Sequence, residues 1–254
     1  MPDNSKRILL SIGGFVLLLI IWDIAYALPF TNKILLPSPI ATFSALYNLI
    51  ANKGAIIDIA QTIGRMLLGF SLACVLGVLL GLIIGSAKNL YHFSNGVIDF
   101  FRSVPIVTLY PVFIMLFGIK SISKIAMVFV ACIFVIILNT AYGVMQTNPL
   151  RQKTAKIFGA NKTQVFKWIT FYSALPQTLI GMRTAISFAM IVEIVCEMFM
   201  GSKYRIGQKI MDAFAAYRIP ELYALIIIAG VIGFLFNWVF KMIEKKVIPW
   251  VGMT

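Results

Sequence analysis

The sequence predicts an all-α membrane protein of about six transmembrane helices, with a polar two-helix loop on the cytoplasmic side. Three observations carry that expectation. Of 254 residues, 60% are hydrophobic and only 12% charged, against roughly 25% charged in a soluble domain. The apolar residues gather into blocks of ~20 or more, the length needed to cross a hydrocarbon core. Blocks that long exceed the ~10-residue strands of a membrane barrel, and backbone groups in lipid must be satisfied within the element, which leaves helices.

The first block, residues 8–28, follows Lys6 and Arg7 and contains Ala25-Tyr26-Ala27, which resembles a cleavage site. Its apolar core is longer than the ~7–15 residues of a secretory signal, so it is expected to stay as the first helix. Residues 29–58 connect it to the second block. Within them Ser38-Pro39 starts a helix, and Ile40, Phe43, Leu46, Tyr47 and Ile50 fall at helical spacing. An amphipathic helix against the outer membrane interface or the top of the bundle is expected there.

The second block, 59–85, carries Gly69, Ala73, Gly77, Gly81 and Gly85 at intervals of four. Such a stripe lets another helix approach closely, and packing within one chain is preferred over a subunit interface. The third block, 97–119, is interrupted by Arg102, Pro105 and Pro111. The fourth is 122–145, the fifth 175–200 and the sixth 222–243. One membrane domain over 1–254 is expected, without repeats or low-complexity segments.

Orientation follows from lysine and arginine near span ends. With both termini cytoplasmic, eleven of these residues fall inside and eight outside, the outside set including Lys53, Lys124 and Lys203. The formal net charge of +13 is scattered through short loops, which suits anionic lipid headgroups and excludes a nucleic-acid partner. Cys74, Cys132 and Cys196 lie inside spans without metal-ligand spacing, so no metal site is expected and they read as small buried hydrophobes.

The loop between the fourth and fifth blocks is the most basic stretch of the chain. Asn148 can cap a helix with Pro149 at its first position; Leu150, Thr154, Ile157 and Phe158 share a face; Gly159 ends it. Asn161 with Gln164 makes a capping box for a second helix, with Val165, Phe166 and Ile169 on one side and Lys162 and Lys167 on another. A short helix is not stable alone in water, so its apolar face needs a cover. Either the pair lies at the interface with its lysines on headgroups, or it is a rigid elbow docked into a cytoplasmic partner. Shape alone leaves both open.

This segment resembles the cytoplasmic signature loop of permease subunits of bacterial ATP-binding-cassette importers, a pattern of Glu-Ala-Ala, three residues, Gly, nine residues, Ile-x-Leu-Pro. Ala155 matches the second alanine, Gly159 the glycine and Ile169 the isoleucine, and Ala160 and Phe166 lie in the same loop. Lys153 replaces the glutamate, Thr154 the first alanine and Phe171-Tyr172 the Leu-Pro pair, while Leu175-Pro176 follows four residues later. The branch serving aliphatic sulfonates, taurine, nitrate and bicarbonate is matched also by LLPSPIATFSAL, GRMLLGFSLACVLGVLLGLIIG, FFRSVPIVTLYPVFIMLFGI and EMFMGSKYRIGQKI, from about Leu35 onward.

The resemblance implies a permease of the bacterial inner membrane working with a second copy of itself, two ATPase subunits and a soluble substrate-binding protein. Its coupling loop spans about 148–174, and its cargo is a small anion or, alternatively, a thiamine-precursor pyrimidine or riboflavin-like solute. ATP and Mg would be bound by the partner ATPase. The chain itself has no Gly-x4-Gly-Lys-Ser/Thr phosphate loop, no catalytic constellation, and no cofactor is expected in it. Lys153 is accommodated either by an acid of the ATPase or by turning outward to headgroups.

Ionisable residues at membrane depth face a bundle interior or a water-filled path. Glu193 and Glu197, one turn apart in the fifth block, are candidates for a translocation path or gate, together with Arg102 and Asn139; the alternative for the two acids is an ion pair that holds helices in register. For Arg65 and Arg183 the structural pair is preferred. A secondary transporter coupled through Glu193 and Glu197, and a membrane scaffold or enzyme subunit that uses the elbow only for docking, are the rival functional classes.

Overall fold

The computed structural model describes residues 4–51, 53–201 and 205–249. Lys203, counted above with the outer charges, and residues 202–204 of the EMFMGSKYRIGQKI stretch lie outside them, as do the side chains of Arg7 and Lys53. The elements are α1 (Asn4–Ala27), α2 (Pro39–Ala51), α3 (Lys53–Ser86), α4 (Lys88–Ser103), a 3-10 turn (Ile106–Leu109), α5 (Tyr110–Phe117), α6 (Ser121–Met145), α7 (Pro149–Ile157), α8 (Lys162–Val165), a π turn (Phe166–Thr170), α9 (Phe171–Met200), α10 (Ile206–Ala215) and α11 (Ile219–Val247). Among the described residues five helices are long and apolar enough to cross a membrane, and α4 with α5 makes a sixth, broken candidate.

The centre is the α3–α6–α9 trio. α3 lies against α6 along the glycine stripe. A Cβ at Gly81 would stand 2.6 Å from Thr140 Cβ, and one at Gly85 2.6 Å from the Ala141 carbonyl oxygen. Both are closer than atoms tolerate, so the absence of side chains here is what sets the helix separation. Ala73, at the middle of the stripe, is fully buried. Met66, Phe70, Met127, Ile136, Ile186 and Leu225 join α3, α6, α9 and α11 in one apolar core.

The third block is not one straight span. Pro105 has no N–H to continue a helix and forces Val104 into an extended conformation, φ −71° and ψ 124°. The chain turns by 83° between α4 and the helical segment 106–117. The fifth block also differs from its expected start. The second arm of the polar loop runs through the π turn straight into α9, so that one apolar helical stretch reaches from Lys162 to Met200.

α2 forms where expected, with Ser38 Oγ accepting from the Ala41 N–H at 3.1 Å. Its inward side, however, is Thr42 with Leu46 and Leu49, against α11 and α3, while Ile40, Phe43, Tyr47 and Ile50 face outward. α1 stands at the margin. Its apolar side chains are exposed along the helix, and it is tied to the bundle by Trp22, whose Nε1 donates to the Pro37 carbonyl at 3.1 Å and whose ring stacks on Tyr223.

Candidate functional site

The polar loop is built by local chemistry. The Asn148 Oδ1 accepts from the Leu150 N–H at 2.8 Å, and Pro149 opens α7 at a position whose N–H would be unsatisfied anyway. α7 ends where Gly159 takes φ +86°, a region that side chains with a Cβ avoid. The Ala160 N–H then returns to the Ala155 carbonyl at 3.0 Å. Asn161 and Gln164 bond reciprocally, each at 2.8 Å, and start α8. A helix, a glycine corner and a second helix continuous with α9 result.

The outer side of this elbow is apolar and uncovered. Ile157 is 84% and Phe158 86% exposed. A groove of about 410 Å³ beside them is lined by Ala155, Gly159, Ala160, Gln164, Trp168 and Ile169. Four of the loop residues singled out in the sequence therefore share one groove. Lys153 and Thr154 are exposed and do not line it, and Phe166 lines a separate cavity on the bundle side. Lys153 has no ion-pair partner among the described residues.

At membrane depth α3 and α9 are joined by charge. The Arg65 Nε donates to Glu193 Oε1 at 2.8 Å, and its Nη2 donates to Glu197 Oε1. The Thr62 hydroxyl lies 2.8 and 3.0 Å from the two Glu197 oxygens, and the Gly207 N–H donates to Glu197 Oε2 at 3.0 Å. Both glutamates are fully buried. Glu193 through one oxygen and Glu197 through both thus meet donors on α3 and α10, a clasp of the helix-pairing kind that is the alternative to the path. Arg205, just before α10, lies close enough that burial and the Arg65 charge push its guanidinium down to about 10. Asp58 on α3 pairs with Lys209 on α10, and Arg183 with Glu244 at 3.6 Å.

Arg102 and Asn139, the other path candidates, come together. Both line a cavity of about 370 Å³ with Tyr91, Asn95, Asp99 and Tyr142. Arg102 Nη2 is 3.4 Å from Asp99 Oδ1, and it also borders a second cavity, of about 400 Å³, at the α4 bend. Asn139 Nδ2 donates within its own helix, to the Val135 carbonyl at 2.8 Å, rather than to a neighbouring helix.

Sequence reasoning missed Thr62 and Gly207 in the clasp, and the burial of Arg205 beside it. It counted Lys124 among the charges at the outer span ends; Lys124 lies in the first turn of α6 but is fully buried, with no hydrogen-bond partner for its Nζ among the described residues. Helix α10 was missed as well; its apolar spacing, Ile206, Ile210 and Ala213, was the available signal.

Residues 73–249 match the model of a family described as binding-protein-dependent transport system inner membrane component. The chain is 28% identical to the nitrate import permease protein NrtB of Synechocystis, over 96% of this chain and 91% of that protein. It is 29% identical to the putative aliphatic sulfonates transport permease protein SsuC of Bacillus subtilis, over 91% and 83%. Among solved structures, an inward-facing MetNI methionine ABC transporter superposes with a TM-score of 0.66 at 14% identity, over 76% of this chain and 96% of that one.

Proposed function

We propose, from the premise that this chain belongs to the binding-protein-dependent inner membrane transport components and is the permease subunit of an ATP-binding-cassette importer, that its elbow, about residues 148–174, is the seat of the ATPase. The observation that carries this reading is the exposed Ile157–Phe158 pair beside the Ala155–Trp168 groove. So much apolar surface at the tip of a basic loop needs a complementary cover. Because α8 runs unbroken into α9, a displacement of the elbow moves a central helix of the bundle directly.

The rest of the assembly follows from the same reading. Two copies of the chain, two ATPases and a soluble binding protein complete the importer, with the elbow and both termini in the cytoplasm. The single membrane domain carries the path, for which Arg102 and Asn139, in their shared cavity at the broken helix, are the candidates. The cargo is a small anion, as the names of the nitrate and sulfonate permeases suggest, and a guanidinium at that cavity suits it.

The test is recovery of the ATPase with a tagged permease from co-expressing membranes. Phe158→Asp is expected to lose the ATPase at least tenfold, whereas Tyr217→Asp, also largely exposed but in the turn between α10 and α11, retains it. Full ATPase recovery with Phe158→Asp would overturn the assignment of the elbow.

A further inference from the structure

Behind the elbow, on the side away from the Ile157–Phe158 tip, lies a cavity of about 500 Å³ between the loop and the ends of α3 and α6. Three of its lining side chains are lysines from different elements: Lys88 at the start of α4, Lys156 in α7 and Lys162 at the start of α8. Among the described residues none of the three has an ion-pair partner and no carboxylate lines the cavity. The first turn of α4 has no side-chain cap, so the helix dipole adds positive potential where Lys88 stands. Gln152 and Thr170 supply amide and hydroxyl groups, joined to each other at 3.4 Å. Thr147, only 6% exposed, lines the same cavity, and its hydroxyl has no hydrogen-bond partner among the described residues.

We infer that this cavity is a binding site for a phosphate group. A tetrahedral anion is compact enough for the space, accepts from ammonium, amide and hydroxyl donors at once, and satisfies the orphaned Thr147 hydroxyl. Held there, it ties the first arm of the elbow through Gln152 and Lys156, and the second through Lys162 and Thr170, to the bundle through Lys88 and Thr147. The site is separate from the groove assigned to the ATPase and does not depend on that assignment. Its phosphate comes either from an anionic lipid headgroup or from a free phosphate of the cytoplasm.

The test uses the full chain purified in detergent and in nanodiscs. In one arm inorganic phosphate is titrated into the detergent-purified protein; in the other, retention of phosphatidylglycerol over phosphatidylcholine is measured by native mass spectrometry. Saturable binding of one phosphate per chain in either arm is expected, weakened at least tenfold in Lys88→Gln/Lys156→Gln/Lys162→Gln and several-fold in Thr147→Val. It should be unchanged in Lys245→Gln/Lys246→Gln, which removes two charges of α11 that do not line the cavity. The arm that responds identifies the source. Absence of saturable binding in both arms, or equal losses in the triple variant and the α11 control, would overturn the site. If the triple variant fails to insert, Lys156→Gln alone is read by the same criteria.

Discussion

At the scale of residues, the Arg65–Glu193–Glu197 clasp is a buried ion pair that joins α3 to α9 and whose failure is directly measurable. Removing one partner of a buried ion pair costs about 3–5 kcal/mol, because the charges left behind have neither water nor counter-ion. Arg65→Ala strands two carboxylates that are fully buried. It is expected to lower the unfolding midpoint of the detergent-purified protein clearly, measured as loss of the monodisperse size-exclusion peak on heating. Neutralising the acids as well, in Arg65→Ala/Glu193→Gln/Glu197→Gln, should restore part of that loss. An Arg65→Ala protein as stable as the parent would return the glutamates to the translocation path. This clasp was only half legible in the sequence. Ionisable residues in apolar blocks announce that partners exist, but Arg65 stands 128 and 132 residues from its acids, and no local pattern connects positions that far apart. Lys124 shows the converse: a lysine next to a loop reads as solvated, and only the packing of α6 reveals that it is enclosed.

At the scale of elements, legibility follows the range of the interaction that builds each one. Asn148, Pro149, Gly159, Asn161 and Gln164 act on backbone groups within a few residues of themselves, so the elbow could be drawn from the sequence and the observed bonds have the expected partners. The break at Val104–Pro105 was visible as a proline, but its 83° angle was not, since a missing N–H says where a helix stops and not where the chain goes next. Helix α10 has three buried apolar positions in ten residues, shorter than the window in which periodicity stands out. The α3–α6 stripe lies between these cases, since its spacing is local and its partner is not. Gly81→Leu would drive a side chain into Thr140 Cβ and the Ile137 carbonyl, 2.6 and 2.8 Å from where its Cβ must sit. Overpacking of this kind costs about 1–3 kcal/mol or more, and a marked fall in thermal midpoint is expected. Gly64→Leu, on the same helix with nothing within 4 Å of its Cβ, should change the midpoint little. Equal effects of the two substitutions would mean that the stripe does not set the α3–α6 distance.

At the scale of the whole molecule, the elbow and the α10–α11 corner are held apart by α9, whose 30 residues span about 45 Å at 1.5 Å per residue, more than the ~30 Å hydrocarbon core. They must therefore emerge on opposite sides of the membrane, which makes orientation a question with two answers. In the orientation proposed here, the lysines and arginines of the elbow, retained inside by the same bias that orients short loops, put it in the cytoplasm and Tyr217 on the outer face. Both Phe158 and Tyr217 are largely exposed, and the three native cysteines are buried or half-buried in the bundle, so single cysteines placed at these two positions report side directly. With a membrane-impermeant maleimide, Tyr217→Cys is expected to label in intact cells, and Phe158→Cys only in inside-out vesicles prepared without the ATPase. Labelling of Phe158→Cys in intact cells would put the elbow outside, beyond the reach of any cytoplasmic ATPase, and the coupling role proposed for it would fall with the topology.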